Sequence, residues 1–201
     1  AEWGHDVTVI TGAPNFPQGK LYEGYKNRWF HEEKISGVNV LRVKTFIAPN
    51  QGAFFRALDF VSFMFSGFVA GLVVKRPDVV VATSPQFLAA VAGWLISVFR
   101  KRPFVLELGD IWPASIIAVG AMKESALLRL MEKFERYLYR KSACVVAVTP
   151  AFKENLVRRG IDGDKIAVVI NGVDLSRFTP LERDEALAAK WGLKDSFVVG
   201  Y

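Results

Sequence analysis

Five short segments hold the residues best placed for chemistry, and each follows an apolar run. They are Thr11-Gly12-Ala13-Pro14-Asn15, Thr83-Ser84-Pro85, Gly109-Asp110-Ile111-Trp112-Pro113, Thr149-Pro150 and Asn171-Gly172-Val173-Asp174. Three of them offer a small hydroxyl, and Asp110 presents a carboxylate directly after the run Phe104–Leu108. A hydroxyl in such a place either meets a ligand or only caps the next helix by accepting a backbone N–H. Both readings stand for Ser84 and Thr149. Asp110 faces the same choice, between a site and the cap of a helix beginning near Pro113.

Other chemistries lack their residues. No G-x-G-x-x-G follows any of the apolar runs, and no Walker lysine motif exists. The two histidines, His5 and His31, are far apart, have no triad context and read as a turn residue and a surface residue. No His/Cys/Asp cluster has metal-ligand spacing, so no metal site is expected. Hydride transfer, P-loop hydrolysis and triad catalysis are disfavoured together. Cys144, the single cysteine, lies in Ala143-Cys144-Val145-Val146 and reads as a buried, inert thiol that forms no internal disulfide.

The elements that must position these segments alternate between strand and helix. Strands are expected at Val7–Thr11, Val38–Val43, Val79–Ala82, Phe104–Leu108, Val145–Val148 and Ile166–Ile170. Helices are expected at Phe54–Lys75, Gln86–Arg100, Glu124–Lys141 and Pro150–Arg159, with Pro150 at a first turn where its missing N–H costs nothing. On the third helix Leu127, Leu130, Met131, Phe134, Tyr137 and Leu138 mark an apolar face. Short β-branched runs between helices indicate parallel strands buried on both faces, the pattern of a Rossmann-like, doubly wound α/β sheet. In such sheets ligands bind beyond the carboxyl ends of the strands, where the five segments lie. Thr179–Ser196 is polar and helix-prone and reads as a linker or connecting helix.

The chain has 201 residues, 51% hydrophobic and 23% charged, which excludes disorder and a disulfide-stapled miniprotein. Its net charge is +6, and residues 51–102 contribute +4 of it through Arg56, Lys75-Arg76 and Arg100-Lys101-Arg102. That charge is modest for this length and no RNA- or DNA-binding motif accompanies it, so no nucleic-acid partner is expected. The same quarter holds the longest uncharged apolar run, Phe60 to Val74, too short for a comfortable membrane span. Arg56, Asp59, Ser62, Ser66 and Ala70 recur at helical spacing, and Gly67 and Gly71 permit close packing. Two readings stand: a helix buried against a sheet, or one whose exposed phenylalanines touch a membrane while its basic neighbours meet anionic lipid. Glycine before the first strand and a last run, Ser196–Tyr201, that stops in mid-strand suggest a piece of a longer chain.

Several motifs together resemble one family. Gly4-His5-Asp6-Val7-Thr8-Val9-Ile10-Thr11 with Pro14-Asn15-Phe16-Pro17, Pro77–Pro85, Glu107–Pro113, Glu135–Ala143, and Asn171-Gly172-Val173-Asp174 with Phe178-Thr179-Pro180 occur in the order seen in family-four nucleotide-sugar glycosyltransferases. Within that family the sequence most resembles enzymes that build bacterial O-antigen and capsule sugars, including fucosamine-type transferases.

The resemblance implies a two-domain GT-B architecture in which residues 1–178 form the N-terminal, acceptor-side domain. Residues 179–201 would then be the interdomain linker and first strand of the donor domain. The family's first strand and Gly-rich loop would precede Ala1, its donor domain would follow Tyr201, and the chain alone would be inactive. The implied reaction transfers a sugar with retention to a lipid-linked or cell-surface polysaccharide acceptor, with a nucleotide-diphosphate sugar, UDP-type, as donor and no tightly bound cofactor. Such chemistry passes through an oxocarbenium-like state and leans on positioning and electrostatics. By resemblance Asp110 is catalytic, orienting or deprotonating the acceptor hydroxyl. Asn15, Phe16, Thr83, Ser84 and Trp112 would contact the acceptor, and Thr149, Asn171, Gly172 and Asp174 the nucleotide. Gly109 replaces the His or Arg that many relatives carry before this Asp, and Ala114 replaces a common Glu. The expected partners are a nucleotide sugar, a lipid-linked saccharide and an anionic membrane surface, with the protein cytoplasmic and peripheral to the inner face of the plasma membrane. A different class of protein also fits: a non-catalytic module that docks on a membrane or partner through Phe54–Phe68.

Overall fold

The structure is a computed structural model that describes residues 3–47, 52–111 and 125–198. It divides into two compact units, Ala1–Ile170 and Asn171–Tyr201. The first runs β1 (Thr8–Gly12), β2 (Phe30–Ile35), β3 (Val38–Val43), α1 (Ala53–Val73), β4 (Val80–Ser84), α2 (Phe87–Arg100), β5 (Phe104–Leu108), α3 (Ala126–Lys141), β6 (Cys144–Ala147), α4 (Pro150–Arg158), a 3-10 turn at Gly163–Lys165, and β7 (Ile166–Val168). This is the expected α/β alternation with a parallel sheet.

The strands form two sheets. In the larger, β4-β5-β6-β7 are all parallel, with Ser84 beside Leu108 and Leu108 beside Ala147. In the smaller, of order β1-β3-β2, β1 and β3 are parallel with Val9 beside Val40, while β2 runs antiparallel to β3. β2 is the one strand that the sequence pattern does not announce. The hairpin turns on Ser36 and Gly37, whose φ values of 49° and 81° suit a tight two-residue turn that follows the twist of the strands. Lys75, on the segment leading from α1 into β4, pairs with Asp6 at the start of β1 at 3.1 Å, so β1 and β4 begin at the same end of the molecule. Each of these two strands has only one paired edge among the described residues.

Right-handed crossovers between β4, β5, β6 and β7, taken in one direction, put α2, α3 and α4 on the same face of the sheet. The inward side chains Leu106, Leu108, Val145 and Ala147 are buried there with Leu138, Tyr139 and Leu156. Val81 is 59% exposed and alternates away from buried Ala82, and Val9 is 42% exposed beside half-buried Ile10. Close packing fixes the helices in place. A Cβ on Gly93 would come within 2.6 Å of the Ala82 Cβ, so α2 lies directly on β4. A Cβ on Gly71 would meet Ile96 Cδ1 at 2.3 Å, so α1 lies directly on α2. The Arg100 guanidinium donates to Leu72 O and satisfies a carbonyl at the end of α1.

Three local expectations are corrected. The sheet-facing side of α3 carries Leu128, Glu135, Leu138, Tyr139 and Ser142, whereas Leu130 and Tyr137 are exposed. Phe134 and Tyr137 instead stack edge-on against Trp94 of α2 at 6.0 and 5.5 Å. Cys144 is half-buried rather than buried, because it alternates away from Val145 on a short strand. Residues 196–198 belong to no strand among the described residues, and 199–201 lie outside them. The second unit contains one helix, α5 (Glu185–Lys190), capped by the Asp184 carboxylate accepting from Leu187 N at 2.8 Å.

Candidate active site

Three of the chemistry-bearing residues meet where β4 and β5 end. Past the last register pair, Gly109 N donates to Ser84 O at 3.2 Å, and the Ser84 hydroxyl donates to the Asp110 carbonyl at 3.2 Å. The neighbouring Thr83 hydroxyl donates to Ser84 O at 3.3 Å. Ser84 is buried and Asp110 half-buried, so the loop is clamped through its main chain. Among the described residues no hydrogen bond is made by the Asp110 carboxylate. Trp112 and Pro113, and with them the proposed helix cap by Asp110, lie outside the described residues.

Gly109 has a steric reason that the sequence did not disclose. A Cβ there would stand 2.9 Å from the Ser84 backbone oxygen, closer than real Cβ atoms approach. The close approach of β4 to this loop therefore opposes any side chain at this position.

The two hydroxyl segments divide between the alternatives left open above. Ser84 does not cap α2, whose N-cap is Gln86 with no side-chain bond; its hydroxyl ties β4 to the Asp110 loop. Thr149 does cap α4, its Oγ1 accepting from Phe152 N at 3.2 Å with Pro150 at the first turn.

Asn15 and Phe16 follow β1. The Asn15 amide donates to Ala13 O at 2.9 Å, and Asn15 O accepts from Gly19 N at 2.8 Å, closing a compact loop. Phe16 is largely exposed, and its carbonyl accepts from the Tyr22 hydroxyl. The chain leaves the small sheet after β3 and enters the large one at β4, and from there the winding runs toward β7. Asn15 and Phe16 thus leave the strand on one side of this reversal, and Thr83, Ser84 and Asp110 lie on the other. Open α/β sheets bind ligands at such a reversal.

Asn171, Gly172 and Asp174 belong to the second unit and are exposed. Asp174 Oδ1 accepts from Ser176 N at 2.9 Å and from Ser176 Oγ at 2.6 Å, and these bonds hold its carboxyl below the ordinary carboxylate range.

Two groups escaped the sequence reading. Asp59 on α1 is the lone acid between Glu33 and Asp78, and burial pushes its carboxyl above the ordinary value. Thr45 follows β3 and is itself gripped by Asn27, whose side chain donates to Thr45 O at 2.7 Å and accepts from Thr45 N at 3.1 Å. The second group is Glu135, buried on α3, which accepts from Tyr139 Oη and from Arg159 Nη2, both at 2.6 Å. Burial raises the Glu135 carboxyl, and the two donors oppose that shift. The isolation of Asp59 and the Glu135/Tyr139 spacing of one helical turn were the available signals.

An open α/β sheet with parallel strands, whose ends gather Thr83, Ser84 and Asp110, defines a domain of the Rossmann-like class. Residues 1–172 match the model of the glycosyl transferase 4-like domain, and the chain belongs to that family. It is 23% identical over 186 residues to a putative colanic acid biosynthesis glycosyl transferase, WcaI, of Escherichia coli (strain K12), covering 88% of this chain and 46% of that protein. The fold is similar to sucrose-phosphate synthase from Thermosynechococcus elongatus, with TM-score 0.60 and 16% identity over 96% of this chain and 44% of that one. It is also similar to Anabaena Alr3699/HepE in complex with UDP-glucose, with TM-score 0.53 and 13% identity over 95% of this chain and 51% of that one. The chain therefore spans about half the length of these relatives.

Proposed function

We propose that the chain is the acceptor-side half of a retaining glycosyltransferase. It would serve a UDP-type nucleotide sugar as donor and a lipid-linked or cell-surface polysaccharide as acceptor, at the cytoplasmic face of the plasma membrane. The observation that carries this reading is the Asp110 carboxylate, presented beyond β5 by a main chain that Ser84 and Gly109 fix. A carboxylate that makes no hydrogen bond among the described residues, on a main chain fixed beside it, is suited to orient an acceptor hydroxyl and draw off its proton as the glycosidic bond forms. Asn15, Phe16, Thr83 and Ser84 would line the acceptor side, with Trp112 following Asp110 in sequence. Thr149 would offer the nucleotide its remaining lone pair, and Asn171, Gly172 and Asp174 would join from the interdomain segment.

The similarity to a protein solved with UDP-glucose supports the donor class, and the relative in colanic acid biosynthesis supports a polysaccharide acceptor. The free edges of β1 and β4 support a further parallel strand between them. Such a strand, with its loop and helix, would supply the backbone N–H groups that diphosphates require and would cover Val9 and Val81.

The test is Asp110→Ala in the full-length enzyme with sugar transfer followed directly. Turnover is expected to fall by about a hundredfold or more with an unchanged circular dichroism spectrum. Near-normal rates would remove Asp110 from the mechanism.

A further inference from the structure

The segment Glu135–Ala143, one of the motifs in the sequence, places a buried ionic group behind the site. Glu135 is 4% exposed and Tyr139 1%, one helical turn apart on the side of α3 that faces the sheet. The Glu135 carboxylate accepts from Tyr139 Oη and from Arg159 Nη2, one bond on each oxygen. An ionised carboxylate can accept about four, so each oxygen keeps a free lone pair. The neighbouring Arg159 Nη1 is enclosed without an acceptor among the described residues. A buried ion pair adds little stability over apolar side chains of the same shape. Stability alone therefore does not account for an incompletely paired one in the core.

Glu135 reaches the strand ends through a cavity. This space of about 10 Å³ lies between α3, α2 and the ends of β4 and β5, with Ser84, Glu135 and Tyr139 as its polar lining and Phe87, Ala90 and Leu108 among its apolar walls. It has room for a single water, and a buried water needs at least two polar partners. The Ser84 hydroxyl gives its one proton to the Asp110 carbonyl, so its oxygen can only accept. The Glu135 carboxylate likewise only accepts. Two acceptors across one cavity cannot bond each other, and among the described residues no hydrogen bond joins Ser84 to Glu135. A molecule with two donors satisfies both, and water is the one that fits the space.

We propose that Glu135 is a positioning residue for sugar transfer: it anchors one internal water that donates to Glu135 and to the Ser84 hydroxyl, and through Ser84 it steadies the Asp110 main chain. Arg159 and Tyr139 donate to Glu135, the water donates to Glu135 and to Ser84 Oγ, and Ser84 donates to Asp110 O, so donors and acceptors balance at every link. A hydroxyl that accepts from water becomes a stronger donor, and the carboxylate makes the water's other bond charge-assisted. The bond from Ser84 to Asp110, 3.2 Å, is long for a hydroxyl donor and is the link that such reinforcement serves. The positioning role rests on the transferase reading; the water site does not.

Two measurements test the two parts separately. The first is a high-resolution crystal structure of the chain, in which a water within hydrogen-bond distance of a Glu135 carboxylate oxygen and of Ser84 Oγ is expected. A dry cavity, or a direct bond from a protonated Glu135 to Ser84, would overturn the bridge. The second uses the full-length enzyme carrying Glu135→Leu with Arg159→Met, which removes the carboxylate without stranding its cation. Its urea midpoint should stay near that of the wild type. Its kcat should fall about fivefold, as for Ser84→Ala, with a smaller rise in KM for the acceptor. Adding Ser84→Ala should then lower kcat no further, because both changes break one connected chain. Losses that multiply, to about twenty-fivefold, or an unchanged kcat would overturn the positioning role. Ala90→Val fills the cavity and leaves the ion pair intact, so it should show the same loss and the same coupling to Ser84→Ala; this variant decides the matter if the first does not fold. A full-length protein that transfers no sugar would overturn the transferase reading and the positioning role with it, while the crystal structure still decides the water site.

Discussion

The Ser84 hydroxyl donates to the Asp110 carbonyl at 3.2 Å, while the Ser84 carbonyl accepts from Gly109 N at the same distance. Two strands thus end in a reciprocal main-chain clamp, and the carboxylate that follows is left free of it. In the proposed reaction Ser84 would act through Asp110, as a positioning residue. In the full-length enzyme Ser84→Ala removes a single hydrogen bond, about 1 kcal/mol. A fall in kcat of about fivefold is expected, with a smaller rise in KM for the acceptor and Asp110→Ala far more severe. A purely structural Ser84 would lower the urea midpoint and leave kcat intact.

Gly109 gives a sharper prediction, because the obstacle to any side chain there is backbone. A Cβ would lie 2.9 Å from Ser84 O, which cannot swing aside as a flexible side chain would. Gly109→Ala is expected to cost about 1–3 kcal/mol by urea denaturation and to displace the Asp110 loop. Gly109→His, which adds a larger side chain at the same obstacle, should be worse still in both stability and turnover. Improved turnover in Gly109→His would show that the loop yields easily.

Much of the fold was legible because its strands are short β-branched runs set off by Arg76-Pro77-Asp78 and Arg102-Pro103, and because Thr149-Pro150 spells a capped helix start. β2 was not, since Phe30–Ile35 reads FHEEKI and gives neither clean alternation nor a buried side; only Ser36-Gly37 signalled it. On α3 the leucines and aromatics divide between the sheet and α2, so their periodicity pointed between the two surfaces and hid Glu135. At the site, the segments themselves were legible as strand ends, and Asp110 among them. Which hydroxyl caps and which clamps was not, because Ser84 and Thr149 have the same sequence context, a following proline. The distinction depends on the neighbouring strand, which no local pattern encodes.

The buried pair of Glu135 and Arg159 predicts an asymmetry between its two members. Arg159→Met leaves a carboxylate with a 6% exposed side chain and no cation, a loss of about 3–5 kcal/mol at neutral pH. Glu135→Gln keeps an acceptor for the Tyr139 hydroxyl, removes the buried charge, and should cost far less. The pH dependence follows from the direction of the Glu135 shift. A carboxyl raised by burial contributes stability that is present below its unfolded value and lost as pH rises through the folded value. Without Arg159 that loss deepens, so Arg159→Met should be nearest to wild type in acid and fall away toward neutral pH. Urea denaturation across that range measures it, and a pH-independent difference would contradict this account.

Asp174 shifts the opposite way, for a local reason. Ser176 gives it two hydrogen bonds, from Oγ at 2.6 Å and from N at 2.9 Å, and both favour the charged carboxylate. The stability it lends to this turn is therefore present above the unfolded carboxyl value and lost as pH falls through the depressed one. Ser176→Ala removes the first-named bond, and the Asp174 titration followed by NMR should move back up toward an ordinary aspartate. An unchanged titration would assign the shift to the backbone donors alone.

The helices carry glycines of two kinds, and alanine should separate them. Gly93 sits over β4, where a Cβ would meet the Ala82 Cβ at 2.6 Å and Phe104 Cε2 at 3.3 Å. Neither Ala82 nor the strand beneath it has room to retreat, so α2 must lift from the sheet that carries Thr83 and Ser84. Gly67 on α1 has only the Phe63 ring nearby, at 3.6 Å, which is ordinary contact. At Gly67 the gain in helix propensity, about 1 kcal/mol, is unopposed. Gly67→Ala is therefore expected to raise the melting temperature, and Gly93→Ala to lower it by an overpacking cost of about 1–3 kcal/mol. Because the lifted helix follows directly on the β4 strand end, Gly93→Ala should also reduce turnover in the full-length enzyme, whereas Gly67→Ala should not. Calorimetry and sugar-transfer assays on the two variants decide it: equal behaviour would mean that α2 is not seated on β4 as tightly as the Gly93–Ala82 approach requires.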